Sequence, residues 1–293
     1  MRLETHPNIV VREWRDRRIL AAIRFVDATT GGNIRQPLQL QTQTNRFRTR
    51  FVRNLSGHYV LTAAPGFETY SQTLNLNDLT TVPASTPLTI EISDPSGQYL
   101  PRQFSLSLPR DPSTDSASTA NENSLFQPVR IALYPSANAP VNPGWAVLRA
   151  TVVNAATSER LPYAVVVVSA ATSLPTDGPV IAQTDWRGEA LIAVPGIPIT
   201  TWSTEPDDDE ATSSPVTTTD VEATIEVIFD PSLTPIPEAA DFTQLSNPNP
   251  DYIPDPEQLN NSRSSLLIGT VPFTLASGRD VSHRLAIALS SVP

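Results

Sequence analysis

The two halves of this 293-residue chain carry the same short segments in the same order. Phe25-Val26-Asp27-Ala28-Thr29-Thr30 returns as Val152-Val153-Asn154-Ala155-Ala156-Thr157. Gly57-His58-Tyr59-Val60-Leu61, followed by Pro65-Gly66-Phe67, returns as Gly188-Glu189-Ala190-Leu191-Ile192, followed by Pro195-Gly196-Ile197. Thr89-Ile90-Glu91-Ile92 with Asp94-Pro95-Ser96 returns as Thr224-Ile225-Glu226-Val227 with Asp230-Pro231-Ser232. Phe104-Ser105-Leu106 ending in Arg110-Asp111 returns as Phe273-Thr274-Leu275 ending in Arg279-Asp280. Val129-Arg130-Ile131-Ala132-Leu133 is answered by Arg284-Leu285-Ala286-Ile287-Ala288. A duplication constrains the fold strongly, because one topology must serve both copies and each copy must bury a core of its own.

The repeated segments alternate apolar and polar residues, the period of a strand rather than of a helix. The 29 prolines argue the same way, since proline breaks helix interiors. The expected fold is all-β: two tandem Greek-key β-sandwich domains from an internal duplication, with long Pro-rich acidic loops. Residues 1–18 read as a basic N-terminal arm, 19–136 as the first sandwich, 137–144 as a linker and 145–293 as the second. In the first sandwich, strands are expected at 19–27, 37–43, 46–53, 58–64, 67–76, 86–93, 102–108 and 126–134. In the second they are expected at 145–154, 163–170, 179–184, 189–194, 199–203, 221–229, 266–275 and 281–290. The run Val165 to Val168 predicts a strand covered on both faces. Two insertions mark the second half, 204–219 and 231–263, and their composition alone reads as disordered.

Charge is unevenly spread. Up to Arg53 there are eleven arginines against Glu4, Glu13, Asp16 and Asp27, whereas residues 205–257 hold fourteen acids and no base. The net charge is −10, and every basic residue is arginine. Arginine makes bidentate and stacked contacts and is favoured at interfaces. A basic face and an acidic face on one molecule steer association. The expected partner-binding residues are therefore Arg12, Arg15, Arg17, Arg18, Arg46, Arg48, Arg50 and Arg53 on the basic side. On the acidic side they are Asp207, Asp208, Asp209, Glu210, Asp251, Tyr252 and Asp255. The even-numbered Arg46, Arg48 and Arg50 should share one strand face, with Phe47 and Phe51 on the other.

Both halves share a further pattern. Thr184-Asp185-Trp186-Arg187-Gly188-Glu189-Ala190-Leu191-Ile192 leads to Val194-Pro195-Gly196, and Leu55-Ser56-Gly57-His58-Tyr59-Val60-Leu61 leads to Ala64-Pro65-Gly66-Phe67. An Asp/Asn-Ala-x-Thr strand end precedes each. This resembles the carboxypeptidase-regulatory-like, transthyretin-like β-sandwich family over about 60 residues of each half. In the first half Asn54-Leu55 stands where the family has Thr-Asp, and in the second Ala190 replaces an aromatic. The resemblance implies a stalk, linker, adhesion or assembly module; it does not supply a chemistry.

Catalytic signatures are missing. The histidines are His6, His58 and His283, and no Gly-x-Ser-x-Gly elbow accompanies them. There is no cysteine, which removes disulfides and thiolate sites. The acidic runs lack the alternating ligands and glycine of an EF-hand loop, and no glycine-rich phosphate loop is present. No catalytic, metal-binding or cofactor-binding residue is assigned, and the expected cofactor is none. The acidic remainder would repel a polyanion, so nucleic acid is not an expected partner. No apolar run approaches the ~18 residues of a membrane span. The first residues lack the apolar stretch of a secretory signal, so the expected location is cytoplasmic, within a particle. The reading that fits is a non-enzymatic structural subunit whose partners are other protein subunits, including copies of itself. Its concrete form is a tail, baseplate or cap component of a phage-like contractile injection machine. The alternative is an adhesin or carbohydrate-binding module using Trp145, Trp186, Trp202 and Tyr252.

Overall fold

The computed structural model describes residues 18–42, 48–72, 83–113, 115, 121–170, 178–197, 199–201, 216–218 and 220–291. In the first half, β1 is Ala21–Asp27, β2 Gln39–Thr42, β3 Arg50–Arg53, β4 Tyr59–Ala63, β5 Thr86–Ser93, β6 Arg102–Leu108 and β7 Val129–Leu133. They form two sheets, ordered β3-β4-β1-β7 and β2-β5-β6. In the second half, β8 is Ala146–Asn154, β9 Val165–Ala170, β10 Val180–Gln183, β11 Glu189–Val194, β12 Ile199–Thr201 and β13 Val216–Thr218. They are followed by β14 Asp220–Phe229, β15 Leu267–Ala276, β16 Asp280–Ile287 and β17 Ser290–Ser291. Their sheets are ordered β10-β9-β14-β15-β17 and β11-β8-β16, with a separate pair β12-β13. The fold is an all-β sandwich. The described residues of 1–24, 42–89 and 105–130 make one compact unit, and those of 25–41, 90–104 and 131–293 make a larger one.

The duplication is visible bond by bond. Asn54 and Asp185 open equivalent turns: the N–H of Gly57 donates to Asn54 O, and that of Gly188 to Asp185 O. The side-chain oxygens also correspond, Asn54 accepting from the His58 N–H at 2.8 Å and Asp185 from the Glu189 N–H at 3.0 Å. Asn54 thus holds in the first half the place that Asp185 holds in the second. Both glycines sit in the left-handed region, at φ 84° and 78°, which disfavours any side chain. Asp94 and Asp230 accept the N–H groups of Ser96 and Ser232 in matching turns, each at 2.9 Å. Ala28 N–H donates to Leu133 O, and Ala155 N–H to Ile287 O, both at 2.8–2.9 Å. This last pair corrects the sequence alignment, which matched Leu133 with Ala288. The buried residues Ile131 and Leu133 correspond to Leu285 and Ile287, and a one-residue slip would turn every side chain to the wrong face.

One strand changes sheet between the copies. In the first half β3 pairs with β4 across the Asn54 turn. In the second the equivalent β10 leaves the turn to pair with β9, Gln183 opposite Val165. The valine run explains the change. Val166 and Val168 enter the main core beside Leu148, Ile192 and Ile225, while Val165 and Val167 pack with Ile228, Leu259 and Leu266 on the opposite face. A strand apolar on both faces needs cover on both, as its sequence predicted.

Two expectations are corrected. The strand expected at 67–76 contains a short helix, α1, Glu68–Gln72. Phe67, Tyr70 and Ser71 are buried, which is helical spacing and not alternation; the Phe67 and Tyr70 rings meet edge-on at 6.1 Å. The insertion 231–263 is folded against the sandwich. Ile236 exchanges two backbone hydrogen bonds with Arg160, and Leu233, Ile236 and Leu259 are buried. It ends in a second helix, α2, Pro256–Asn261, capped by Asp255 with proline in its first turn. The insertion 204–219 lies mostly outside the described residues.

Candidate interaction surface

On the basic side, Arg12, Arg15, Arg17 and Arg46 lie outside the described residues. Arg18 is buried, with its guanidinium 4.6 Å from the centre of the Tyr70 ring. Its backbone N–H donates to Ser71 O at 2.6 Å; it anchors α1. Arg48, Arg50 and Arg53 are exposed, and Arg48 is 3.8 Å from Glu68. The expected alternation of arginine and phenylalanine does not run through. The strand begins only at Arg50, and a register shift falls between Arg50 and Phe51. Such a bulge re-aims side chains and is common on edges.

Among the described residues, strand β3 is the edge of its sheet, so one side of its backbone is not used by their ladder. Val52 is 43% exposed, and Leu55, at the tip of the following turn, is 109% exposed. A lone exposed apolar residue is ordinary. What distinguishes Leu55 is its counterpart. Trp186 holds the same turn position in the second half and packs against the main core. Its ring lies 6.0 Å from that of Phe242, in the insertion. One copy of the turn therefore carries an apolar tip covered by an acidic, proline-rich segment, and the other carries the tip bare beside arginines.

On the acidic side, Asp207 to Glu210 and Trp202 lie outside the described residues. Asp251 is exposed. Asp255 is engaged within the chain: its Oδ1 is 3.3 Å from the Arg102 guanidinium, and Glu257 Oε1 lies 3.3 Å from the same group. Arg102 was not singled out from the sequence. Its signal was present, since in β6 it alternates with Phe104, Leu106 and Leu108 on the inward face. Tyr252 packs on Tyr163 with ring centres 5.3 Å apart, and Trp145 packs beside Ala139, Val147 and Leu191. His58 follows the turn glycine, and His283 lies 5.7 Å from the Phe273 ring. Among the described residues, no three acidic or histidine side chains form a metal-binding group. No helix of the described residues is long and apolar enough to cross a membrane.

Buried phenols give this region an alkaline signature. Burial, and then the fields of Asp230 and Asp255, push Tyr252 up to about 12. Burial also raises Tyr99, which donates to Asp27, and Tyr134. The folded state therefore holds its protons more tightly than the unfolded state. That stability is fully present below the ordinary phenol value of about 10 and is lost as pH rises through about 12. Tyrosinate absorbance should then rise together with loss of β-sheet circular dichroism. Smooth ionisation near pH 10 with the sheet signal intact would contradict the packing.

No family model matches the chain, and no curated protein matches it. Two mutant crystal structures of the shaft pilin spaA from Lactobacillus rhamnosus GG are similar at a low level. One shares 11% identity over 72% of this chain and 69% of the pilin, with a TM-score of 0.19. The other shares 10% over 82% and 80%, with a TM-score of 0.20. A likeness of that size carries no argument about role.

Proposed function

We propose that this chain is a non-enzymatic structural subunit of a large protein assembly, built from two sandwiches, 19–136 and 145–293, of the carboxypeptidase-regulatory-like kind. A tail, baseplate or cap position in a phage-like contractile machine is the concrete form. The observation that carries the reading is the bare Leu55 tip beside the exposed Arg50 and Arg53 of edge strand β3. An edge strand offers backbone hydrogen bonds to an incoming segment, and the arginines favour an acidic one. The covered turn at Trp186 supplies the internal precedent for an acidic, proline-rich segment on that tip. The matching surface on a neighbouring subunit is its acidic region, with Asp251 and the run Asp207-Asp208-Asp209-Glu210.

The test is light scattering on purified wild type and on Leu55→Asp/Arg50→Glu/Arg53→Glu, at low and high salt. Wild type should associate at low salt and disperse at high salt, because exposed charge pairs are screened. The variant should stay monomeric in both while keeping wild-type circular dichroism. Association of the folded variant at wild-type strength would overturn the docking surface.

A further inference from the structure

Strand β16 runs beside β8 over its whole length, in a parallel register from Asp280↔Val147 to Ile287↔Asn154 without a shift. Among the described residues nothing pairs with its other side. In a parallel ladder, alternate residues of a strand bond to one neighbour. The Val147 N–H donates to Arg279 O and the Ala155 N–H to Ile287 O, so the odd-numbered residues turn their backbone to β8. The N–H and C=O groups of Asp280, Ser282 and Arg284 therefore point to the open edge. Every residue from Asp280 to Arg284 is exposed, and Val281 adds an apolar side chain that is 38% exposed.

The first copy of the repeat closes the same edge from within. Ala132 of β7 corresponds to Ala286, since Leu133 corresponds to Ile287, and its carbonyl accepts from the buried Arg102 at 2.6 Å. The residue in the place of Arg102 is Val271, which has no side-chain donor to offer. The neighbouring β15 is guarded differently: β17 pairs with Leu267 and Ile268, and Pro272 lacks an N–H. Among the described residues, β16 has no proline, bulge or covering segment, the devices that keep an edge from pairing.

What this edge would accept follows from its own sequence. Asp280 and Arg284 carry opposite charges, share one strand face and lie equally far from Ser282. Two such edges set antiparallel about Ser282 place each Asp280 opposite the other copy's Arg284, and opposite charges there stabilise a pair. The residues that then meet are the ones whose N–H and C=O point outward, as hydrogen-bonded antiparallel pairing requires. The charges have capacity left. Asp280 meets Arg149 through Oδ2 at 3.4 Å, and Arg284 meets Glu238 through Nε at 2.9 Å. Among the described residues, Asp280 Oδ1 and both Nη atoms of Arg284 have no partner, and the two side chains are 50% and 43% exposed.

We propose that β16 is a self-complementary edge: β16 of a second copy pairs with it antiparallel about Ser282, joining two β11-β8-β16 sheets across a two-fold axis. The contact is separate from the β3 docking surface and does not rest on it. A short strand on each side falls well below the ~1,200 Å² of a stable interface, so its dissociation constant alone is about 1 mM and it is silent in micromolar light scattering. Within an assembly it adds to other contacts as avidity.

Because the chain has no cysteine, Ser282→Cys places a single thiol on the axis. The Cα atoms of a hydrogen-bonded antiparallel pair are about 5.5 Å apart, within reach of a disulfide. The full chain carrying Leu55→Asp/Arg50→Glu/Arg53→Glu, with the β3 contact removed, is oxidised with copper phenanthroline, and dimer is followed on non-reducing gels. Thr274→Cys, at an exposed position of β15, measures random collision. Ser282→Cys should cross-link at least about tenfold faster. Adding Asp280→Arg should bring the rate down to the collision level, because like charges then face each other. Adding Arg284→Asp as well should restore it, with the pair reversed. Circular dichroism of every variant should match the parent, since each substituted site is exposed. Equal rates for Ser282→Cys and Thr274→Cys, an unchanged rate with Asp280→Arg, or no recovery in the folded double reversal would overturn the pairing. Because β3 is disabled throughout, such a failure would leave the β3 docking surface standing.

Discussion

Arg102→Ala is expected to destabilise the fold by about 3–5 kcal/mol, as breaking one side of a buried ion pair does. The guanidinium is wholly buried. It donates to Ala132 O at 2.6 Å, to Asp255 at 3.3 Å and to Glu257 at 3.3 Å. Beside it, the Gln103 N–H donates to Pro254 O at 2.8 Å. One residue of β6 therefore fixes the start of α2, at the end of the proline-rich insertion. The Asp255 side chain is only 15% exposed, so alanine at 102 strands a poorly solvated carboxylate as well as leaving a cavity. Glu257, 53% exposed, loses little, because solvent screens it. Urea denaturation should show a lower midpoint with an unchanged slope. Limited proteolysis should cut first within 231–263. Adding Asp255→Asn should recover part of the loss, since the stranded charge is then gone. A change below about 1 kcal/mol would show that the pair is solvated and that the insertion is held by its apolar anchors alone.

The reason Arg102 escapes a local reading of the sequence also explains where such a reading succeeds. Strands 86–93 and 102–108 fall where alternation and flanking turns place them, because a half-buried strand announces its buried face within its own residues. Helix α1 does not, since five residues after a proline-glycine turn give too short a window for a helical period. The insertion 231–263 looks solvated by composition, yet a few separated residues, Leu233, Ile236 and Leu259, anchor it. Its ionic anchor comes from β6, about 150 positions away in sequence, and no spacing rule reaches that far. The acidic residue was legible at Asp255; its arginine was legible only as a charge on the inward face of an apolar strand. The docking tip shows the complementary case. Leu55 by itself is an unremarked loop residue, and it gains meaning only when the repeat aligns it with Trp186 and the structure shows one covered and the other bare.

Gly188→Ala should cost about 3–4 kcal/mol, against about 1–2 kcal/mol for Gly66→Ala, and the difference isolates the cost of the close approach at Gly188. The two glycines share nearly the same left-handed backbone, φ 78° and 81°, so alanine pays a similar conformational penalty at each. Their surroundings differ. A Cβ on Gly66 would meet nothing within 4 Å, whereas one on Gly188 would lie 2.9 Å from Arg160 Cβ, 3.1 Å from Leu161 N and 3.3 Å from Val152 O. None of these is the far end of a flexible side chain, so relief requires the backbone to move. The strand it would push is fixed from both sides: Val152 N–H donates to Gly188 O at 2.9 Å, and Arg160 exchanges backbone hydrogen bonds with Ile236. Arg160 also pairs with Glu189 at 3.4 Å and lies 4.6 Å from the centre of the Phe242 ring. Strain at Gly188 is thereby passed to the segment that covers Trp186. Thermal denaturation of both variants measures the gap directly. Tryptophan emission from Gly188→Ala should shift to the red before global unfolding, as Trp186 loses its cover, while Gly66→Ala should show a single transition. Equal losses in the two variants would mean that the turn yields freely and that the close approach to β8 contributes nothing to stability.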